Sequence, residues 1–252
     1  MIMNYYKFGS GPEPMVILPG LSIRPVLLNA EAVETAYSIF KNEFTVYLFD
    51  RREDVIEGYD IYDMANDTAA MMRELGIERA YVYGVSQGGM IAQIIAVKYP
   101  ELVSKLCICS SASYTDNASG ALSSWKQYAG EKDRKALNES FAKTIYSEQF
   151  YSLYSDFIAA SAEEITEQEL ERFEIYSSAS DRFDIRSELG SVTQPVFIIG
   201  SRADKIISAH VMLETAEYLR SDTDIFLYSS YSHAVYDEAP DIKERVISFF
   251  RR

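Results

Sequence analysis

Short apolar runs alternate with longer stretches of helical periodicity along most of this chain. The runs Asn4–Phe8, Met15–Leu18, Thr45–Phe49, Tyr81–Tyr83, Lys105–Cys109, Val196–Ile199 and Asp224–Tyr228 are rich in β-branched and aromatic residues. Several are continuously apolar, as strands covered on both faces must be. Between the third and fourth runs, Ile61, Met64, Ala65, Thr68, Met71, Met72 and Leu75 recur at helical spacing, and Gly76 supplies a stop. Gln87 to Tyr99 reads as a second helix ended by Pro100, and a last helix starts near Pro240 with Ile242, Val246, Phe249 and Phe250 on its apolar side. Alternation of this kind predicts an α/β fold: a mostly parallel sheet of seven or eight strands with helices on both faces.

From about residue 113 to residue 188 the alternation stops. No convincing strand appears there, and the segment reads as several helices carrying Trp125, Tyr128, Phe141, Tyr146, Phe150, Tyr151, Tyr154 and Phe157 among many charges. A connection this long between two strands is too large for a loop, so it is expected to form a lid or cap. The predicted organisation is therefore a core of residues 1–112 and 189–252 with a helical cap at 113–188. Such aromatics first of all pack helices together. Trp125, Tyr128 and Tyr154 are the candidates to face a substrate pocket.

Composition narrows the functional classes. A net charge of −14, with no compensating basic stripe, disfavours nucleic acid and anionic membranes as partners. No run approaches the roughly 18 apolar residues of a membrane span, and no basic segment followed by an apolar run opens the chain. Cys107 and Cys109 lie two apart in an apolar run, on one face of a strand, where they cannot readily bridge each other. Reduced core cysteines fit a cytoplasmic setting. Two histidines, His210 and His233, provide no spaced metal-ligand motif. The expected partner is a small molecule, with no metal and no cofactor, on a monomer or homodimer.

The chemistry concentrates at Gly84-Val85-Ser86-Gln87-Gly88. G-x-S-x-G is a weak signal alone, but here a strand precedes it and a helix follows, the context of a nucleophile elbow. A serine on that sharp turn has an exposed hydroxyl and needs glycines on either side, where side chains would collide. A serine hydroxyl also needs a base. His233 follows the last strand and precedes the last helix, at the carboxyl edge of the sheet where open α/β sheets bind ligands. His210 opens a helical run and reads as a surface or helix-start residue. Asp204, after the strand Val196–Ile199, is placed to orient the imidazole, with Asp116 in reserve. Backbone N–H groups of Gln87 and of Leu21, in the turn Pro19-Gly20-Leu21, are expected to bind the oxyanion.

With these residues in view, the chain resembles the α/β-hydrolase superfamily, in its capped single-domain branch of esterases, carbon–carbon bond hydrolases, lactonases and cofactor-free haloperoxidases. Leu18-Pro19-Gly20, Phe49-Asp50-Arg51-Arg52, the elbow around Ser86, Tyr99-Pro100-Glu101, Asp204 and His233 carry the resemblance over nearly the whole chain. It implies a Ser86–His233–Asp204 triad in the family's chain order. Three departures stand out. Pro19 replaces the family's usual histidine before the oxyanion glycine, Glu53 replaces the glycine of its Asp-x-Arg-Gly turn, and the first hairpin is short.

The leading expectation is a serine hydrolase of the carboxylesterase type, cleaving an ester or thioester of an uncharged, largely apolar acyl group through an acyl-enzyme on Ser86. A carbon–carbon hydrolase or lactonase with the same triad is the alternative, with Arg24 as its candidate carboxylate clamp. The third reading is a hydrolase-fold ligand receptor with little turnover. An aminopeptidase-like activity, calling on cap acids such as Glu163 and Glu164, is disfavoured.

Overall fold

A computed structural model describes residues 3–115 and 120–252. The antiparallel strand β1 (Tyr5–Phe8) and β2 (Glu13–Leu18) open the chain, followed by α1 (Ala30–Ala36) and β3 (Phe44–Phe49). Then come α2 (Ile61–Glu74), β4 (Ala80–Val85), α3 (Gln87–Lys98) and β5 (Val103–Cys109). Among the described residues four α-helices intervene before the next strand: α4 (Ala121–Gly130), α5 (Arg134–Ile145), α6 (Glu148–Ser161) and α7 (Glu167–Ala179). The chain ends with β6 (Val196–Ser201), α8 (Ala209–Tyr218), β7 (Thr223–Tyr228), a short α9 (Val235–Glu238) and α10 (Ile242–Arg251). Every predicted strand is present, lengthened by one to three residues or, for the first, shortened by one.

The described residues form one seven-stranded sheet in the order β1-β3-β2-β4-β5-β6-β7, with only β1 antiparallel. Its centre is dry: all six residues of β6 are buried, as are the last four of β5 and of β4. Such strands need helices on both faces to cover them. One apolar cluster joins the sheet to α2, α3 and α8, and a second joins the opposite face to α1 and α10. Cys107 and Cys109 sit in the second as buried free thiols, their pKa raised by desolvation.

Local sequence explains why α2 starts and stops where it does. Asp60 Oδ1 accepts from Asp63 N–H at 2.9 Å, and Asp63 Oδ2 accepts from Asp60 N–H at 3.2 Å, a reciprocal capping box. Gly76, at φ +69°, turns the chain out of the helix. α3 is buried on nearly every side, from Gln87 to Ala96, because it lies between the sheet and its neighbours.

The four-helix insertion leaves and re-enters the core side by side. Tyr114 and Asp184 form an antiparallel bridge, with Thr115 N–H on Phe183 O at 3.0 Å and Ile185 N–H on Ser113 O at 2.9 Å. A third apolar cluster, containing Trp125, Leu137, Ile145, Leu170 and Phe173, belongs to these helices and also takes in Ile23 and Ala234 of the core. No helix among the described residues is long and apolar enough to cross a membrane.

Candidate active site

Three segments meet above the carboxyl ends of β4, β5 and β6. The first is the tight turn from β4 into α3. Ser86 sits at φ 50°, ψ −120°, a backbone conformation that costs a non-glycine residue on the order of 1–3 kcal/mol. The turn is locked from both sides: Ser86 N–H donates to Cys109 O at 2.8 Å, and Gly89 N–H to Ser86 O at 2.8 Å. Side chains at the flanking glycines have no room. A Cβ at Gly84 would stand 2.5 Å from Gly88 O, and one at Gly88 would stand 2.1 Å from Leu18 O.

The second segment carries His233, reached from the end of β7. Its position is fixed by main-chain contacts: Ser110 Oγ donates to His233 O at 2.8 Å, and Ala234 N–H donates to Ile145 O of α5 at 2.7 Å. The imidazole spans the gap between two side chains. Nδ1 lies 2.8 Å from Asp204 Oδ2, and Nε2 lies 2.9 Å from Ser86 Oγ. An ionised carboxylate only accepts, so Nδ1 carries the proton and Nε2 turns its lone pair to the serine hydroxyl. Asp204 comes from the loop after β6. Its other oxygen accepts Ile206 N–H at 2.8 Å and Ile207 N–H at 2.9 Å, which fixes the carboxylate's plane. His233 and Asp204 are almost completely shielded from solvent.

Of the competing candidates, His210 lies elsewhere. The His210 side chain is 84% exposed on α8 with Glu214 as its neighbour at 3.8 Å. Asp116 lies outside the described residues. The predicted oxyanion turn does abut the serine: a Cβ at Gly20 would be 3.2 Å from Ser86 Cβ, and Gly20, Leu21 and Gln87 all border the cavity that Ser86 faces. Neither Leu21 N–H nor Gln87 N–H donates to a backbone acceptor among the described residues.

That cavity encloses about 760 Å³ with its open mouth included. Met90, Trp125, Phe141, Ile145, Ile206 and Tyr236 supply its apolar wall, with Trp125 and Phe141 in ring contact at 4.7 Å. No Lys, Arg, Asp or Glu borders it among the described residues. Of the three cap aromatics singled out from sequence, only Trp125 is there. Tyr128 and Tyr154 require correction: Tyr128 packs into the cluster among the inserted helices, and Tyr154 is 48% exposed. For Tyr154 the reason is that α6 has no buried residue; the Tyr154 ring meets Phe150 at a tilt, and Phe150 stacks on Tyr146 just before the helix.

Sequence reasoning missed Phe141, Ile145, Ile206, Ile207 and Tyr236. Ile206 and Ile207 had a usable signal, since apolar residues just after a loop carboxylate at the sheet edge must sit beside the site. Arg24 is engaged away from the cavity, with Glu164 at 2.5 Å and Glu169 at 3.6 Å, while Glu163 pairs with Lys135 at 2.9 Å. No group of three or more His, Cys, Asp or Glu among the described residues could hold a metal ion.

A strained serine, a buried imidazole and a carboxylate at one edge of a parallel sheet define the class of hydrolases built on doubly covered α/β sheets. The model of the alpha/beta hydrolase fold family matches residues 13–240, and the chain belongs to that family. It is 20% identical over 248 residues to 3-oxoadipate enol-lactonase 2 of Acinetobacter baylyi, covering 92% of this chain and 91% of that protein. It is 24% identical over 264 residues to 2-(acetamidomethylene)succinate hydrolase of Mesorhizobium japonicum, covering 98% and 91%. Among solved structures it is similar to MGS-M2, an alpha/beta hydrolase enzyme from a Medee basin deep-sea metagenome library, with TM-score 0.87, 22% identity and 99% and 94% coverage. At that level the protein is a hydrolase.

Proposed function

We propose that this hydrolase cleaves carboxylic esters or thioesters of uncharged, largely apolar acyl groups through an acyl-enzyme on Ser86. The observation that carries the reading is the continuous chain from Ser86 Oγ to His233 Nε2 at 2.9 Å and from Nδ1 to Asp204 at 2.8 Å, beneath a cavity bordered, among the described residues, by no Lys, Arg, Asp or Glu. In this reading Ser86 Oγ attacks the acyl carbon as its proton passes to Nε2, and the carbonyl π pair moves onto oxygen. Leu21 and Gln87 N–H groups then meet the new oxyanion. Collapse expels the alcohol or thiol, which leaves with the proton from Nε2. Water, deprotonated by the same nitrogen, attacks the acyl carbon; collapse breaks its bond to Ser86 Oγ, which takes back the proton from Nε2, and releases the carboxylic acid.

Desolvation supports an uncharged substrate. A carboxylate enclosed by Met90, Trp125, Phe141 and Ile145 would lose its hydration and gain no cation. The carboxylates denoted by the names 3-oxoadipate and succinate therefore suit this wall poorly, and we place this chain's substrate apart from those of the two named relatives. The carbon–carbon reading loses its clamp, because Arg24 is held by Glu164 and Glu169. The test is labelling with a fluorophosphonate, followed by mass spectrometry of the Ser86 peptide, and turnover of p-nitrophenyl esters of graded chain length. Adduct on Ser86 and preference for neutral acyl chains is the expected result. Folded protein that takes no label and turns over no ester across pH 6–9 overturns the proposal.

A further inference from the structure

The turn that offers Leu21 N–H begins at a proline, which has no amide proton and no polar side chain to anchor it. The anchor comes instead from Arg51. Its Nη2 donates to Pro19 O at 3.0 Å, across 32 residues of chain. Arg51 is buried, with only 9% of its surface exposed; it forms no ion pair within 4.0 Å among the described residues, though the Asp50 carboxylate acts on it electrostatically. The neighbouring Asp50 spends its oxygens on backbone amides, Oδ1 accepting Arg51 N–H at 2.9 Å and Oδ2 accepting Leu27 N–H at 3.2 Å. Arg51 Nε has no hydrogen-bond partner among the described residues. A cation kept this dry, and this incompletely satisfied, is expensive to fold around.

What it touches suggests the return on that cost. Besides Pro19 O, the guanidinium faces the ring of Tyr176 in α7, 6.0 Å from its centre. Tyr176 is tied to both sides of the site: its hydroxyl donates to Arg52 O, and its carbonyl accepts Gln87 Nε2 at 2.6 Å. Gln87 Nε2 also reaches Ser180 Oγ at 2.9 Å. One buried cation thus braces the peptide that leads to Leu21 and, through Tyr176, the residue that carries the other donor. Slack in the turn would matter, because Gly20 already lies against Ser86.

We propose that Arg51 is a positioning residue for the oxyanion site, holding the Pro19–Leu21 turn against Ser86 and, through Tyr176, coupling the inserted helix α7 to Gln87. The inference rests on the serine-hydrolase reading above.

The test uses wild type, Arg51→Met, Arg51→Gln and Arg51→Lys, with active sites titrated by fluorophosphonate so that rates refer to folded, labelled enzyme. Arg51→Met is expected to lower kcat about 10- to 100-fold, less than the loss of a direct oxyanion donor, while KM changes less than about 3-fold, as loss of an interaction made in the transition state requires. The midpoint of the pH–rate profile stays where it is in wild type, because His233 is not touched. Arg51→Lys, which keeps a donor and the charge, recovers most of the loss. A purely structural Arg51 predicts a lower melting temperature with unchanged kcat per titrated site, and that result overturns the inference. If Arg51→Met yields no titratable site, the same comparison between Arg51→Gln and Arg51→Lys decides it. Wild type that takes no label on Ser86 indicts the serine-hydrolase reading itself, a distinguishable failure.

Discussion

Two residues, Ser86 and His233, carry predictions that the rest of the chemistry depends on. Ser86→Ala and His233→Ala should each remove nearly all ester turnover, on the order of 10⁴-fold or more, and the double variant should lose little beyond either one, since the groups act as a unit. Far-ultraviolet circular dichroism should be unchanged, because neither substitution opens the core. His210→Ala is the control: with that ring exposed on α8, steady-state kinetics should match wild type within about twofold. A tenfold loss in that variant would mean the wrong imidazole has been assigned. These residues were readable in sequence for physical reasons. A glycine-flanked serine between strand and helix has few other uses, and His233 alone of two histidines falls at the sheet's carboxyl edge. Arg51 was legible only as part of a motif. Its partner, Pro19 O, is a backbone atom on another strand's turn, and no side-chain pattern announces a bond to a carbonyl.

Elements were easier to read than the faces they present. β4, β5 and β6 announce themselves because the stretches buried on both sides, such as Leu106–Cys109 of β5, are apolar runs, and α2 carries its own start and stop. The inserted helices follow no such rule. Tyr146, Phe150, Leu153, Tyr154 and Phe157 recur at helical spacing, which ordinarily marks a packed face, yet α6 turns Leu153, Tyr154 and Phe157 to solvent. Periodicity identifies a stripe and is silent on what the stripe meets. Substitutions separate the helices accordingly. Trp125→Leu, which shortens one cavity wall, should move the preferred p-nitrophenyl ester to a longer acyl chain, whereas Tyr154→Ala should leave kcat/KM within about twofold across the series. Equal shifts from both would place the substrate somewhere other than the cavity beside Ser86. At the elbow the constraint is steric. Gly88→Ala drives a methyl into Leu18 O and Pro19 O, so it should cost about 3 kcal/mol or more in urea unfolding and abolish turnover in whatever folds.

Across the whole molecule the dominant unspent term is charge. The chain carries 38 acidic and 24 basic residues, so even complete pairing leaves 14 negative charges facing one another. The visible pairs are mostly exposed, such as Arg73–Glu101, Lys132–Glu167 and Lys135–Glu163, and pairs of that kind contribute little to stability. Salt weakens attraction and repulsion together, but the excess is all repulsion, so screening should favour the folded state. Raising NaCl from about 10 mM to about 0.15 M shortens the Debye length from about 30 Å to about 8 Å. At pH 7 the melting temperature should then climb by roughly 2–4 °C, the shift that about 1 kcal/mol produces in a chain of this size. Acid reverses the sign for particular groups. Arg186 beside Asp184, and Tyr228 with Arg245 beside Asp241, hold those carboxyls below their ordinary pKa. Their contribution is complete above the ordinary carboxylate range and disappears as pH falls through the depressed values. Differential scanning calorimetry at both salt concentrations, at pH 7 and again near pH 3, should therefore show salt stabilisation at neutral pH and a lower melting temperature in acid. A melting temperature that falls with salt at pH 7 would mean the exposed ion pairs outweigh the surplus of negative charge.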